Sequence, residues 1–199
     1  VVKNQNLFLV LLKLLDDNSI DLQIRRLAGL ILKNHIDEFG PENVDNDFGW
    51  LSAFDKDLRS YFKHTLINNL SSQYRIIRRT VSQILGKISF IELKNGLWEN
   101  IFEEFSEYLS FKNFMSNCYE GILETMEFLF QEFFNGVKFL DLFGIKSPYI
   151  LNIILDPIKR NNLEQEQLIF SALKTLFTTL HFIKLDGYDC DLIFSLIVN

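Results

Sequence analysis

Apolar side chains recur at three- and four-residue spacing along most of the chain, the mark of helices with one buried face. The spacing predicts a helix over residues 4–15, ended by the turn formers Asp16-Asp17-Asn18-Ser19. Asp21 then caps a second helix reaching Ile36, with Ile24, Leu27, Leu30 and Ile31 at helical intervals. Residues 37–49 are acidic, hold Gly40 and Pro41, and read as a loop. Further helices are expected over 53–70, 73–89, 96–109, 113–134, 137–158, 163–184 and 188–198. Pro148 and Pro157 should kink or end the seventh of these nine elements. No stretch alternates with the two-residue period of a strand, so the chain reads as all-α.

The helices come in pairs joined by turns of a few residues, which makes partners within a pair antiparallel. Placing Ile24-Arg25-Arg26 over Ile77-Arg78-Arg79 brings the apolar patterns that follow into register. Later first-helices match at spacings of roughly 40 to 53 residues, around the HEAT and armadillo period. Each pair leaves an apolar face that only its neighbour can cover. The expectation is therefore a HEAT-repeat α-solenoid over residues 1–199, about four and a half repeats with one continuous core. An irregular bundle of unrelated helices would share the helices but not the recurring period.

Composition narrows the function. The chain has 199 residues, 48% of them hydrophobic, and 20 Phe against 9 Gly and 3 Pro, so a core is ample and turn residues are scarce. Its 26 acidic and 20 basic side chains give a net charge of -6, the wrong sign for a binder of phosphate backbones. Cys118 and Cys190 are far apart and form no CxxC pair, which argues against a disulfide scaffold or a cysteine zinc site and for a reducing compartment. The apolar stretch from Leu7 to Leu15 is broken by Lys13 and is far short of the roughly 20 residues of a membrane span. It also lacks the basic lead and cleavage site of a signal peptide. The opening Val1 and the closing apolar run suggest a piece of a longer protein. Leu7, Leu11 and Leu14 at one end, and Phe194 and Ile197 at the other, should then form uncovered apolar patches.

Signs of catalysis are nearly absent. His35, His64 and His181 are isolated, with no second ligand at i, i+4. There is no phosphate-cradling glycine loop, no GxSxG and no Cys–His neighbourhood. Asp186, Asp189 and Asp191 around Gly187 faintly suggest a calcium loop, but the EF-hand order of Gly and Glu is missing, and capping of a turn fits better. No enzyme activity, metal or other cofactor is expected.

Two charged stripes remain. On the 53–70 helix, Phe54, Leu58, Phe62 and Leu66 define the buried face, and Lys56, Arg59 and Lys63 fall within roughly 60° of one another on one flank. On the 96–109 helix, Glu99, Glu103 and Glu107 recur at i, i+4, i+8 beside Leu97, Ile101 and Phe105. Both stripes could be merely solvated faces. They could also neutralise one another across a repeat boundary, or meet a partner on the surface that successive second-helices share. Trp98 reads as a core anchor or a surface contact. Arg25, Arg26, Arg78 and Arg79 begin first-helices where they can tie adjacent repeats together, and Glu120, Glu124 and Glu127 read as solvated.

At Phe8-Leu9-Val10, Arg25 to Ile36 and Trp50-Leu51 the sequence resembles the importin-β (karyopherin-β) family of nuclear transport receptors. The densest match is Ala28-Gly29-Leu30-Ile31-Leu32-Lys33-Asn34, which looks like the family's A-G-L-x-[IL]-K-N signature on the first helix of its second HEAT repeat. Trp50-Leu51, an acid a few residues on, and Leu58 to Leu70 resemble the helix that follows. Trp98 stands where the family usually has Trp-Pro, with Glu99 replacing the proline. The likeness runs from about residue 7 to 134 and is thin beyond. A transportin-type karyopherin fits Gly29 to Asn34 equally well, while a HEAT scaffold outside transport would explain the periodicity but not Lys33-Asn34 or Trp98.

The resemblance implies a receptor without catalysis. In the family, second helices of the first repeats hold Ran in its GTP form, which on this chain designates Lys56, Arg59, Lys63, Trp98, Glu99, Glu103 and Glu107, with Lys63 on a lysine of the pattern. FG nucleoporins would dock between first-helices from about the fifth repeat. Protein cargo, or an importin-α adaptor, would be held by later repeats. The implied location is cytoplasm and nucleus, including the pores of the nuclear envelope.

Overall fold

The computed structural model describes residues 2–38, 50–134, 140–159 and 166–183, with Cys190, Asp191 and Ile193. Among the described residues there are nine helices and no strand: α1 (Val2–Asp16), α2 (Leu22–Glu38), α3 (Trp50–Ala53), α4 (Lys56–Asn69), α5 (Arg75–Lys94), α6 (Ile101–Phe111), α7 (Ser116–Phe134), α8 (Leu140–Lys159) and α9 (Glu166–Thr179). Helices α2, α5, α7 and α9 pack in succession to form one row. The second-helices form the other, with α1 on α4 and α6 on α8; α1–α2, α4–α5, α7–α8 and α8–α9 contacts join the rows. This is the predicted solenoid. No described helix is long and apolar enough to cross a membrane.

Phenylalanine fills the space between rows. Phe8, Trp50, Phe54 and Phe62 meet at ring separations of 5.0 to 6.3 Å. Further along, Phe102, Phe130, Phe133, Phe143 and Phe182 form a second cluster at 4.9 to 6.3 Å. Most of these pairs meet edge to face or tilted, the geometry that suits the quadrupole of each ring. The first-helix row is drawn together more closely. A Cβ on Gly86 would lie 2.7 Å from Phe128 Cβ of α7, and α7 also presses on the end of α4, where a Cβ on Gly121 would lie 2.8 Å from the Leu70 carbonyl oxygen. Ser82 Oγ donates to the Gly121 carbonyl at 2.8 Å, so a small polar residue is buried where the helices nearly touch.

Helix ends follow local chemistry, and several differ from the sequence reading. Asp21 accepts from Gln23 N at 2.9 Å, as expected of a cap. Asp55 caps α4 by accepting from Leu58 N at 2.8 Å, so the helix expected from residue 53 begins at Lys56, behind the short α3. Helix α5 runs past residue 89 to Lys94. Gly96 ends it with φ +67°: Leu97 N donates to Glu92 O and Gly96 N to Leu93 O, a Schellman closure. Helix α6 consequently starts at Ile101, not at Gly96. Asn113 (φ 49°) closes α6 the same way, with Phe114 N on Leu109 O, rather than opening α7. Neither proline ends α8. Packing against α6, α7 and α9 carries the helix across the donor that Pro148 withdraws from the Gly144 carbonyl.

The apolar patch at the N-terminal end is composed differently from the expectation. Leu11 is buried in the core and Leu14 is partly covered, while Leu7 and Val10 of α1 and Ile24 and Leu27 of α2 are exposed. Phe194 and Ile197 lie outside the described residues, as do residues 39–49 of the expected loop and nearly all of the 188–198 helix.

Two glycines make opposite forecasts. Gly121→Ala must push on the Leu70 backbone and should cost about 1–3 kcal/mol in denaturant unfolding. Gly144→Ala meets nothing within 4 Å and should instead stabilise α8 by about 0.5–1 kcal/mol.

Candidate functional site

The basic flank of α4 is built around a residue on α5. Glu92 lies four residues after Ile88 and seven after Leu85, on a face that packs inward, and its side chain is only 2% exposed. Such a carboxylate must be met by donors. Trp50 Nε1 donates to Oε1 at 3.0 Å, Arg59 Nε stands 3.6 Å from Oε1, and Lys63 Nζ donates to Oε2 at 2.6 Å. Arg59 also donates through its terminal nitrogen to the Leu51 carbonyl at 3.1 Å. The Lys63 ammonium sits 4.2 Å above the Trp98 ring.

These contacts correct the picture of a free basic stripe. Lys56 is exposed, but Arg59 and Lys63 are turned onto Glu92, with 16% and 18% of their side chains in solvent. Trp98 is buried, as the core reading expected, in a left-handed conformation (φ 54°), and its Nε1 is buried without a partner. The acidic stripe is also broken. Glu99 precedes α6 and is exposed, Glu107 is exposed on α6, and Glu103 pairs with Lys146 of α8. The two stripes therefore do not neutralise each other through these pairs: each finds its counter-ion on a third helix. Sequence reading missed Glu92 and Lys146; a carboxylate in the apolar row Leu85, Ile88 was the available signal for the first.

Tyr108 on α6 donates to the Asn68 carbonyl at 3.2 Å and so ties α6 to the end of α4. Burial pushes its hydroxyl pKa up to about 12.

On the first-helix row the arginines act as ties, as expected, but the glutamates are not solvated. Arg25 is buried and donates to the Leu15 carbonyl at 2.9 Å and to Asn18 at 2.8 Å. Arg78 pairs with Glu120, Arg79 with Glu124 at 3.6 Å, and Lys174 with Glu127 at 2.6 Å. Helix α7 lies between α5 and α9, so its glutamates face neighbours on both sides. A cleft of about 430 Å³ opens over this ladder, with Arg75, Glu166 and Phe170 at its rim. Cys118 is buried and Cys190 exposed, both as free thiols. Among the described residues no three His, Cys, Asp or Glu side chains converge as a metal site, and Asp186 and Asp189 lie outside them.

The paired rows of helices define a HEAT-repeat solenoid, and comparison with known proteins shows what it is similar to. Residues 2–72 match the importin-beta N-terminal domain. The family that the 28–34 motif resembles, importin-β or karyopherin-β, is thus the one whose N-terminal domain residues 2–72 match. Importin subunit beta-1 of Arabidopsis thaliana is 29% identical over 118 residues, which cover 59% of this chain and 13% of that protein. A crystal structure of importin beta grown in polyethylene glycol superposes on 96% of this chain and 23% of its own length, with a TM-score of 0.79 at 20% identity. A second, from ammonium sulfate, gives 0.75 at 19% identity over 96% and 22%. The chain spans about an eighth of the length of its curated relative.

The ladder predicts a pH effect. Burial raises the Glu124 carboxyl above the ordinary glutamate value by more than the half-exposed Arg79 lowers it. The native chain then holds a proton that the unfolded chain releases, so this group's contribution to stability declines as pH rises from about 4. Glu124→Gln should therefore gain in melting temperature relative to the parent between pH 4 and 7. A carboxyl titration midpoint at or below the ordinary value would contradict it.

Proposed function

We propose that the chain is the N-terminal, Ran-binding part of an importin-β-type nuclear transport receptor, acting by binding and not by catalysis. The observation that carries the reading is the importin-beta N-terminal domain over residues 2–72. The HEAT solenoid continues from it in one array through α9. On this reading the second-helix row faces Ran in its GTP form. Lys56, Glu99 and Glu107, all exposed, supply direct charged contacts; Arg59, Lys63, Trp98 and Glu103 border them, already engaged within the fold. Repeats further along would take FG nucleoporins and protein cargo or an importin-α adaptor. RanGTP would bias the solenoid toward a shape that releases cargo, a reciprocal coupling of two ligands. The receptor would shuttle between cytoplasm and nucleus through the pores of the nuclear envelope.

The first test is capture of the chain by Ran loaded with GTP or with GDP. Binding restricted to the GTP form is expected; equal binding, or none to either, would overturn the reading. The residue test follows from the exposure of Lys56. Lys56→Glu should weaken RanGTP binding up to about fivefold, the scale of a rim charge, with the melting temperature unchanged. Lys63→Glu is uninformative, because it would set a second carboxylate against buried Glu92 and unfold the repeat.

A further inference from the structure

Glu92 stands behind the candidate flank and holds two of its three cations. It takes Lys63 on one oxygen, and Arg59 and Trp50 on the other. Lys63 makes the shortest of these contacts, its ammonium 2.6 Å from the carboxylate while 18% of the side chain remains in water. An outside carboxylate approaching Lys63 therefore meets a partly cancelled charge, with a like charge behind it. If Lys63 swung out, Trp50 and Arg59 would remain on Oε1 while Oε2 lost its donor, so part of the charge of Glu92 would stay compensated. Beneath the ammonium, Trp98 adopts a left-handed φ and leaves a buried Nε1 unpartnered. A non-glycine residue so held is costly, and a buried donor without an acceptor more so.

We propose that Glu92 is an internal competitor for Lys63: it holds the basic flank closed against acidic protein surfaces, and a partner must draw Lys63 from it. This rests on the reading of the flank as a partner surface, and deepens it by naming the residue that sets its affinity. The partner chemistry it selects is a carboxylate on a protein surface able to replace Glu92 as the acceptor for Lys63.

The test uses the 199-residue chain as parent, Glu92→Gln, Lys63→Gln and the double variant. Acetylation of individual lysines by a water-soluble ester, read by mass spectrometry, reports whether Lys63 is held. In the parent, Lys63 should react several-fold more slowly than exposed Lys56, and this difference should vanish in Glu92→Gln. Affinity for GTP-loaded Ran should rise roughly three- to tenfold in Glu92→Gln, despite a lower melting temperature, and the gain should be absent when Lys63 is also Gln. Equal labelling of Lys56 and Lys63 in the parent would overturn the proposal, and does not require the variant to fold. Unchanged or weakened Ran affinity in Glu92→Gln would also overturn it, and would mean that Glu92 merely positions Lys63. If no form binds Ran while Lys63 labelling still rises in Glu92→Gln, the clamp stands and Ran is removed as its partner.

Discussion

A pair of helices has two apolar faces and can cover only one, so each pair in this chain depends on the next for its core. That constraint explains why α5 is buried along most of its length. It packs against α2 on one side, α7 on the other and α4 beneath, leaving little of its surface for water. It also explains the glycines in the first-helix row: Gly86 and Gly121 stand where neighbouring backbone comes within 3.2 Å of the place a Cβ would take. Removing one repeat would expose the face of the next, so stability is a property of the boundaries between repeats.

Charge follows the same logic. Polar residues that a lone amphipathic helix would show to water are here caught between neighbours, and each needs a counterpart across the boundary. Arg78 and Arg79 on α5 meet Glu120 and Glu124 on α7; Glu127 on α7 meets Lys174 on α9; Glu103 on α6 meets Lys146 on α8. Glu92 is the most deeply buried of these acids and gathers donors from α3 and α4. Residues that resemble a partner-binding flank are thus also part of what holds the second and third helix pairs together. Fold and candidate site share the same atoms.

How much of this the sequence disclosed depends on which physical signal was in play. The helices and their pairing were legible because a 3.6-residue apolar period is long-range and redundant. Their boundaries were less so: Gly96 and Asn113 look like starts, yet each closes the preceding helix in a left-handed turn. The 28–34 motif was legible because it lies on a helix packed against its neighbour, with Gly29 pressed on Thr80, and it pointed to the family whose N-terminal domain residues 2–72 match. The charged residues were the least legible. A periodic pattern assigns each residue to a buried or a solvated face, whereas Glu120, Glu124, Glu127, Arg59 and Lys63 occupy a third condition, between neighbours. Only the carboxylate of Glu92, set in an apolar row, broke the pattern, and the sequence reading passed over it.

The central claim is that Lys63 and Glu92 form an ion pair inside the fold, before any partner arrives. A double-mutant cycle with Lys63→Met and Glu92→Gln, read by urea unfolding, measures it directly. The account predicts a coupling of about 1–3 kcal/mol, in the range found for side chains in one buried network. A coupling within about 0.3 kcal/mol of zero would mean that the two side chains ignore each other in solution, and would return Lys63 to the surface as a free cation.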